Sequence, residues 1–311
     1  MRIFIILLHV ILVPLLSPLG VGIIKKIKAK LQNRQGASIV QPYKDLWKLL
    51  HKDETVSSDA SWIFRYAPYI VFAVTLAAAA GIPLILSMPA ISVMSDMLLI
   101  VYTLGIGTFF LALAGLDVGS AFGGFGSSRE MTTSALAEGG FVFSLLTIAM
   151  ICGSTDLFKM SLTLTSFYSE ASLPIMLAFS GFFIVLLCET KRFPFDNAAT
   201  HLELTMIHEA MLLEYSGKRL ALMEWAAANK LFLFAALGTN LFFPWGIAHS
   251  VATGSLVFGF SVFIIKMFVF YAAIAIIESS MAKFRFFRLP DLLIISFILN
   301  VIAIGLVRFS K

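Results

Sequence analysis

The chain has 311 residues, 59% of them hydrophobic and only 13% charged, with a mean hydropathy of +0.93. Soluble domains carry about a quarter charged residues, so this composition excludes a soluble enzyme and makes lipid bilayer the chain's surroundings. The two cysteines, Cys152 and Cys188, sit far apart in apolar runs without C-x-x-C spacing; they support neither a zinc nor an iron–sulfur centre and read as reduced packing residues.

Eight apolar runs of spanning length lie near 3–23, 64–86, 97–115, 131–152, 172–188, 228–247, 257–279 and 290–307. They are continuous rather than alternating, which predicts an all-α polytopic membrane protein, one membrane domain over 1–311, and not a barrel. The first run starts like a signal peptide but lacks a small-residue cleavage site and continues to Ile24. It reads as a retained first span, the alternative being cleavage near Ser17.

A basic segment follows span 1, including Lys25, Lys26, Lys28, Lys30, Arg34, Lys44, Lys48, Lys52 and Arg65. Within it Tyr43, Leu46, Trp47 and Leu50 repeat at helical spacing, predicting a short amphipathic cytoplasmic helix. Lys and Arg also gather after spans 5 and 7, whereas 87–96 and 248–256 have none and 153–171 has only Lys159. The basic connections are therefore cytoplasmic, and both termini face the other side of a prokaryotic inner membrane. The net charge of +5 is mostly this asymmetry and calls for no nucleic acid. The longest cytoplasmic segments, roughly forty residues, are too short for a core of their own, so any large catalytic domain belongs to another chain.

Between spans 3 and 4 stands GLDVGSAFGGFGSSRE (115–130). It lacks G-K-[ST] and follows no strand, so it is no phosphate loop. Its glycines predict a sharp turn, with Ser127 or Ser128 capping span 4. Ionisable groups lie within the spans or at their rims. Glu138 and Lys266 are well inside apolar runs, while Asp117, Glu224 and Glu278 lie at the edges. Such groups are costly in lipid and mark ion paths or paired interior sites; at the rims, plain interfacial solvation is an equal alternative.

Span 5 runs straight into ETKRFPFDNAATHLELTMIHEAMLLEYS (189–216), with Glu189, Asp196, Glu203, Glu209, Glu214, His201 and His208. If the chain is helical after Pro194, Asp196, Glu203 and Glu214 share one face. No Lys or Arg stands between 193 and 217, and carboxylates crowded without cations hold protons more tightly, which suits proton carriage. The plainer reading is a solvated helix. His208-Glu209 begins like H-E-x-x-H, but residue 212 is Leu, so a zinc pair is not formed.

ETKRFPFD (189–196) resembles the E-x-x-R-x-P-F-D signature of complex I subunit 1, the membrane-arm subunit next to the quinone site, and EYSG (214–217) resembles a later part of the same loop. The glycine-rich segment, RQGASIVQPYKDLWKLL (34–50) and IESSMAKFRFFRLPD (277–291) resemble that family's hydrogenase branch, typified by formate hydrogenlyase subunit 4 and hydrogenase-4 component C. The resemblance spans nearly the whole chain. It implies a non-catalytic membrane subunit of an energy-converting [NiFe]-hydrogenase-type complex. The cofactors, [NiFe] and iron–sulfur centres, would sit in large and small peripheral subunits and none on this chain, with antiporter-like membrane subunits alongside. It further implies a proton path through Glu138, Glu189, Asp196, Glu203, Glu209, Glu214 and Glu278, to which the rim and span residues Asp117, Glu224 and Lys266 add. Docking of the peripheral module falls to Arg34, Arg129, Glu130, Lys191, Arg192, His201, His208 and Tyr215. Where the family has a bendable, glycine-containing run, this chain reads NAATHLELTMIHEAML, which counts against quinone as a ligand. A quinone-site subunit of a complex I-like enzyme, its chamber lined by spans 1, 5 and 6, is the alternative. A free-standing transporter using Lys266 and the buried acids is a third.

Overall fold

The computed structural model describes residues 2–86, 94–196, 206–248 and 253–310, with side chains described for 6–86, 94–196, 206–248 and 254–309. Among the described residues the secondary structure is helical, with two isolated β-bridges and no extended strand. The helices are α1 (Arg2–Leu31), α2 (Gln41–Leu50), α3 (Trp62–Gly81), α4 (Met97–Asp117), α5 (Ala121–Cys152), α6 (Leu157–Phe167), α7 (Ser172–Glu189), α8 (His208–Leu212), α9 (Gly217–Leu241), α10 (Thr253–Ser280) and α11 (Leu289–Ser310). Eight of them, all but α2, α6 and α8, are long and apolar enough to cross a membrane.

Local chemistry sets the helix starts. The Ser61 hydroxyl accepts from the Ile63 N–H at 3.1 Å at the head of α3. Asp96 accepts from the Leu98 N–H at 2.9 Å at α4, and Asp156 from the Phe158 N–H at 3.0 Å at α6. Each satisfies a backbone donor that a helix start leaves open. α5 ends on Gly153, whose φ of 68° needs a residue without a Cβ.

The helices pack as α3 on α4, α11 on α7 and α5, and α1 against α9 and α10. Buried rings of Phe141, Phe182, Phe234 and Phe242 join α5, α7 and the end of α9. Polar contacts fix the register inside the bundle, as expected where lipid offers helices no hydrophobic drive to associate. Asn300 donates to the Gly140 carbonyl at 2.9 Å and Ser296 to that of Gly181 at 2.8 Å, locking α11 to α5 and α7. Ser17 donates to Asn229 at 2.6 Å and Asn229 to Thr75 at 3.0 Å, tying α1, α9 and α3.

Several boundaries differ from those read in the sequence. α1 continues to Leu31, beyond the expected end near 23, and Ile24 is fully buried. Lysine is a good helix former whose stem can pack while its amine reaches water, so the basic residues do not end the helix. α9 begins at Gly217, eleven residues before the apolar run, because KRLALMEWAAAN is rich in helix formers though not in grease. The 153–171 connection contains α6, whose Leu157, Phe158, Met160 and Leu164 are buried.

The glycine-rich segment does turn sharply between α4 and α5, with Gly119 at a φ of 67°, but the turn is shorter and its cap lies elsewhere than expected. The break is confined to residues 118–120, Ser120 rather than Ser127 or Ser128 caps α5, and the remainder is helix.

Candidate functional site

The basic end of α1, the ends of α7 and α10 and the head of α9 meet on one side of the bundle around a cavity of about 760 Å3. Val21, Leu46, Val71, Val74 and Phe193 give it apolar wall. Lys28, Glu130, Glu189, Lys191, Arg192, Asp196, His208, Glu209, Glu224, Lys230 and Glu278 also line it, as does Arg34. The molecule is therefore most polar where α7 runs into the turn at 190–196.

The carboxylates are paired. Glu130, on α5 and fully buried, meets Lys191 Nζ at 2.6 Å. Glu189, at the end of α7, accepts from Lys230 Nζ at 2.6 Å and from the Ser134 hydroxyl at 3.4 Å. The same Lys230 amine donates to Thr108 at 3.1 Å. Glu278 lies 3.2 Å from an Arg192 nitrogen and 3.3 Å from Lys28 Nζ. Asp196 accepts from Lys283 Nζ at 2.9 Å. The expectation of acids crowded without cations is thus corrected. The stretch 193–217 has none of its own, but Lys28, Lys191, Arg192, Lys230 and Lys283 come from α1, the preceding turn, α9 and the segment after α10. Charges this buried need such partners. Burial works against a charge on Lys191, yet Glu130 and Glu189 outweigh it and hold the amine above the usual lysine range.

Glu138 is half-buried about two turns further along α5 than Glu130, within electrostatic reach of Glu189 and Lys230. Its carboxylate faces Gly105 of α4, where a Cβ would lie 3.1 Å from Oε1. The array therefore runs from the cavity through Glu130–Lys191 and Glu189–Lys230 towards Glu138 in mid-span.

The segment after Pro194 does not continue as one helix. Phe193 to Phe195 form a turn, and α8 begins only at His208. The Asp196 carboxylate accepts the backbone N–H groups of Ile207 at 3.2 Å and His208 at 3.0 Å, so the described ends on either side of 197–205 meet there. The shared face expected for Asp196, Glu203 and Glu214 is therefore not built at the described ends. Glu203 and His201 lie outside the described residues.

α8 is seated on the glycine-rich part of α5. A Cβ at Gly126 would lie 2.8 Å from the Ile207 carbonyl oxygen and 2.9 Å from the Ala210 Cβ, and one at Gly115 would lie 3.0 Å from Met211. Gly126 and Gly115 thus serve close packing, while Gly119 makes the turn. Burial pushes the His208 imidazole down to about 4.

Other candidates lie apart from the array. Asp117 accepts from the backbone N–H groups of Ser61 at 2.8 Å and Phe64 at 3.3 Å, holding the start of α3. Tyr215, 4% exposed, stacks on Phe64 at 4.0 Å and donates to its carbonyl at 2.9 Å, so its ring serves the fold rather than an outer surface. Glu214 is exposed. Arg129 donates to the Met206 carbonyl at 3.1 Å and lies over the Phe286 ring. Lys266 is remote, donating to the Phe243 carbonyl at 2.6 Å beyond the end of α9. The residues sequence reasoning missed are Lys28, Lys230 and Lys283, counted only as loop cations. The one available signal was at Lys230, which directly precedes the apolar run LFLFAALG.

The sequence model of the NADH dehydrogenase family matches residues 3–308. Hydrogenase-4 component C of Escherichia coli is 32% identical, over 96% of this chain and 93% of its own. Formate hydrogenlyase subunit 4 of the same organism is 33% identical, over 86% of this chain and 87% of its own. A subunit of the NADH-quinone oxidoreductase of Cupriavidus metallidurans is 25% identical, over 82% and 74%. Among solved structures, a chain of the membrane-bound sulfane sulfur reductase, an archaeal respiratory membrane complex, shares the fold with a TM-score of 0.84 at 18% identity, covering 98% of this chain and 99% of that one. The eight spans, the acidic turn after α7 and these matches together mean that this chain belongs to the NADH dehydrogenase family, the family of complex I subunit 1.

Proposed function

We propose that this chain is the proton-conducting membrane anchor of an energy-converting [NiFe]-hydrogenase-type complex and performs no redox chemistry itself. The observation that carries the reading is the buried array running from the cavity through Glu130–Lys191 and Glu189–Lys230 to Glu138. Paired charges in a membrane interior are expensive, and a purely structural bundle has no use for so many in one line. Protonating a carboxylate releases its lysine, so occupancy of one pair changes the field at the next. The two relatives above 30% identity, hydrogenase-4 component C and formate hydrogenlyase subunit 4, favour the hydrogenase branch.

In this reading the peripheral large and small subunits, which hold the [NiFe] and iron–sulfur centres, dock over the cavity mouth near Arg34, Arg129 and the segment after Asp196. Redox change there reaches Asp196 and Arg192, and from them Lys283 and Glu278. Protons pass from the cavity towards Glu138 and on to antiporter-like membrane subunits. α2 lies along the membrane surface as an amphipathic element, with Leu46 buried and Trp47 exposed. The Lys and Arg bias supports a cavity on the cytoplasmic face of a prokaryotic inner membrane with both termini outside.

A second reading, a quinone-reducing complex, draws on the cavity itself, whose apolar wall and polar end suit an amphipathic guest. Phe193, Leu46 and Val21 would flank a quinone there, and Lys191 or His208 would face its oxygens. Bound quinone would supply a two-electron, two-proton acceptor.

Purification of the chain in mild detergent with everything that accompanies it, and measurement of nickel in the associated large subunit, tests both. Nickel together with antiporter-like partners supports the hydrogenase reading. A nickel-free large subunit and inhibition by quinone-site ligands favour the second. An active chain without partners contradicts both and fits a free-standing ion transporter.

A further inference from the structure

His208 has a place that docking to a partner does not explain. It begins α8, lines the cavity, and its Nδ1 is buried without a hydrogen-bond partner among the described residues. The charged groups that act on its ring come from three other parts of the fold: Glu130 from α5, Lys191 and Asp196 from the turn after α7, and Lys230 from α9. Glu209, on its own helix, lines the same cavity. A histidine used only for packing is most at home with both nitrogens satisfied, and an apolar side chain would fill the place at lower cost.

The backbone holding this ring does not depend on the ring. The His208 N–H is fixed at 3.0 Å to Asp196, which is anchored by Lys283 at 2.9 Å. The following turn is pressed onto Gly126 and Gly115. The imidazole is thus delivered by a rigid mount to the wall of the cavity that Glu130, the first buried acid of the array, also lines.

We propose that His208 is the entry relay of the proton path: its imidazole takes a proton from the cavity and hands it to the Glu130 carboxylate, releasing Lys191. The proposal rests on the proton-conducting reading above and names the group that loads the array. The step balances simply. One ring nitrogen accepts a proton from cavity water, leaving hydroxide, and a ring N–H is given up to a second cavity water, which passes its own proton to a Glu130 oxygen, so that the imidazole returns neutral in its other tautomer. Turning of the ring in the cavity restores the first tautomer. Since burial keeps the ring neutral at cytoplasmic pH, it passes protons without storing them.

The test uses the intact complex in sealed vesicles and reads protons moved per electron transferred, with thermal unfolding of the same preparations. His208→Ala and His208→Asn are expected to lose this ratio by about tenfold or more, as removal of a positioned acid–base group does. Added imidazole is expected to restore His208→Ala, whose cavity can admit it, and to leave His208→Asn unrestored. Wild-type ratios in either variant overturn the relay. So does a loss in His208→Ala that imidazole does not reverse while its unfolding temperature drops, because that is a packing role. Glu189→Gln, measured alongside, separates the two levels of the account. If it pumps normally the proton-path reading itself falls. If it fails while the His208 variants pump normally, only the relay falls.

Discussion

Glu189 and Lys230 meet at 2.6 Å on two different helices, and each is tolerable in the bundle because of the other. Removing one partner of such a buried pair costs about 3 kcal/mol or more, because the remaining charge is stranded. Glu189→Gln should therefore lower the unfolding temperature of the solubilised protein, and Glu189→Gln combined with Lys230→Met should recover most of the loss. Equal destabilisation in the double variant would contradict the pairing. His208 makes a pH prediction with a definite sign. Its imidazole titrates near 6.5 when unfolded and about 4 when folded. Between those values the unfolded chain binds more protons, so this group lowers stability as pH falls from 6.5 towards 4 and has no effect above that window. Thermal unfolding across that range should show a shallower acid loss in His208→Asn than in the parent; identical slopes would contradict the buried neutral ring. The acids were legible in the sequence, because an ionisable group in or beside an apolar run stands out. Their partners were not: Lys230 is 41 residues from Glu189 and Lys283 is 87 from Asp196, and no local pattern joins residues so far apart.

At the scale of elements, the spanning helices could be read from hydropathy, while their ends could not. Averaged greasiness stops at the first lysines, yet α1 runs on to Leu31 and α9 starts at Gly217. α6 was hidden because its apolar face is short and mixed with Thr and Ser. The glycine-rich segment was legible as a turn, which Gly119 makes, but not as a packing surface. Glycine serves both sharp turns and close helix packing, and only the tertiary partner decides between them. Here the partner is α8. Gly126→Ala would place a methyl 2.8 Å from the Ile207 carbonyl oxygen and 2.9 Å from Ala210. It should cost about 1–3 kcal/mol through overpacking and shift α8 from its seat. Gly124→Ala, where a Cβ meets nothing within 4 Å, should instead be neutral or slightly stabilising, since alanine is the better helix former. Thermal unfolding of the two variants checks the contrast, and similar losses in both would contradict the packing role.

Across the whole molecule, buried ionisable groups are concentrated on the cavity side. The cavity side holds paired carboxylates and lysines, the interior holds Glu138 in reach of them, and Lys266 is bound apart from them, to the Phe243 carbonyl near the far end of α9. A redox module seated over the cavity would act on the ends of α7 and α10 through Arg192, Asp196 and Glu278, and the array would carry that change inward as protons. Glu138 is the deepest acid of this line and has no hydrogen bond or ion pair among the described residues, so its neutral isostere separates conduction from assembly. The measurement that bears most directly on this is proton translocation per electron in vesicles containing the complex with Glu138→Gln. The account predicts an assembled, redox-active complex whose translocation falls by about tenfold or more. An assembled complex that moves protons at the parent ratio would contradict it.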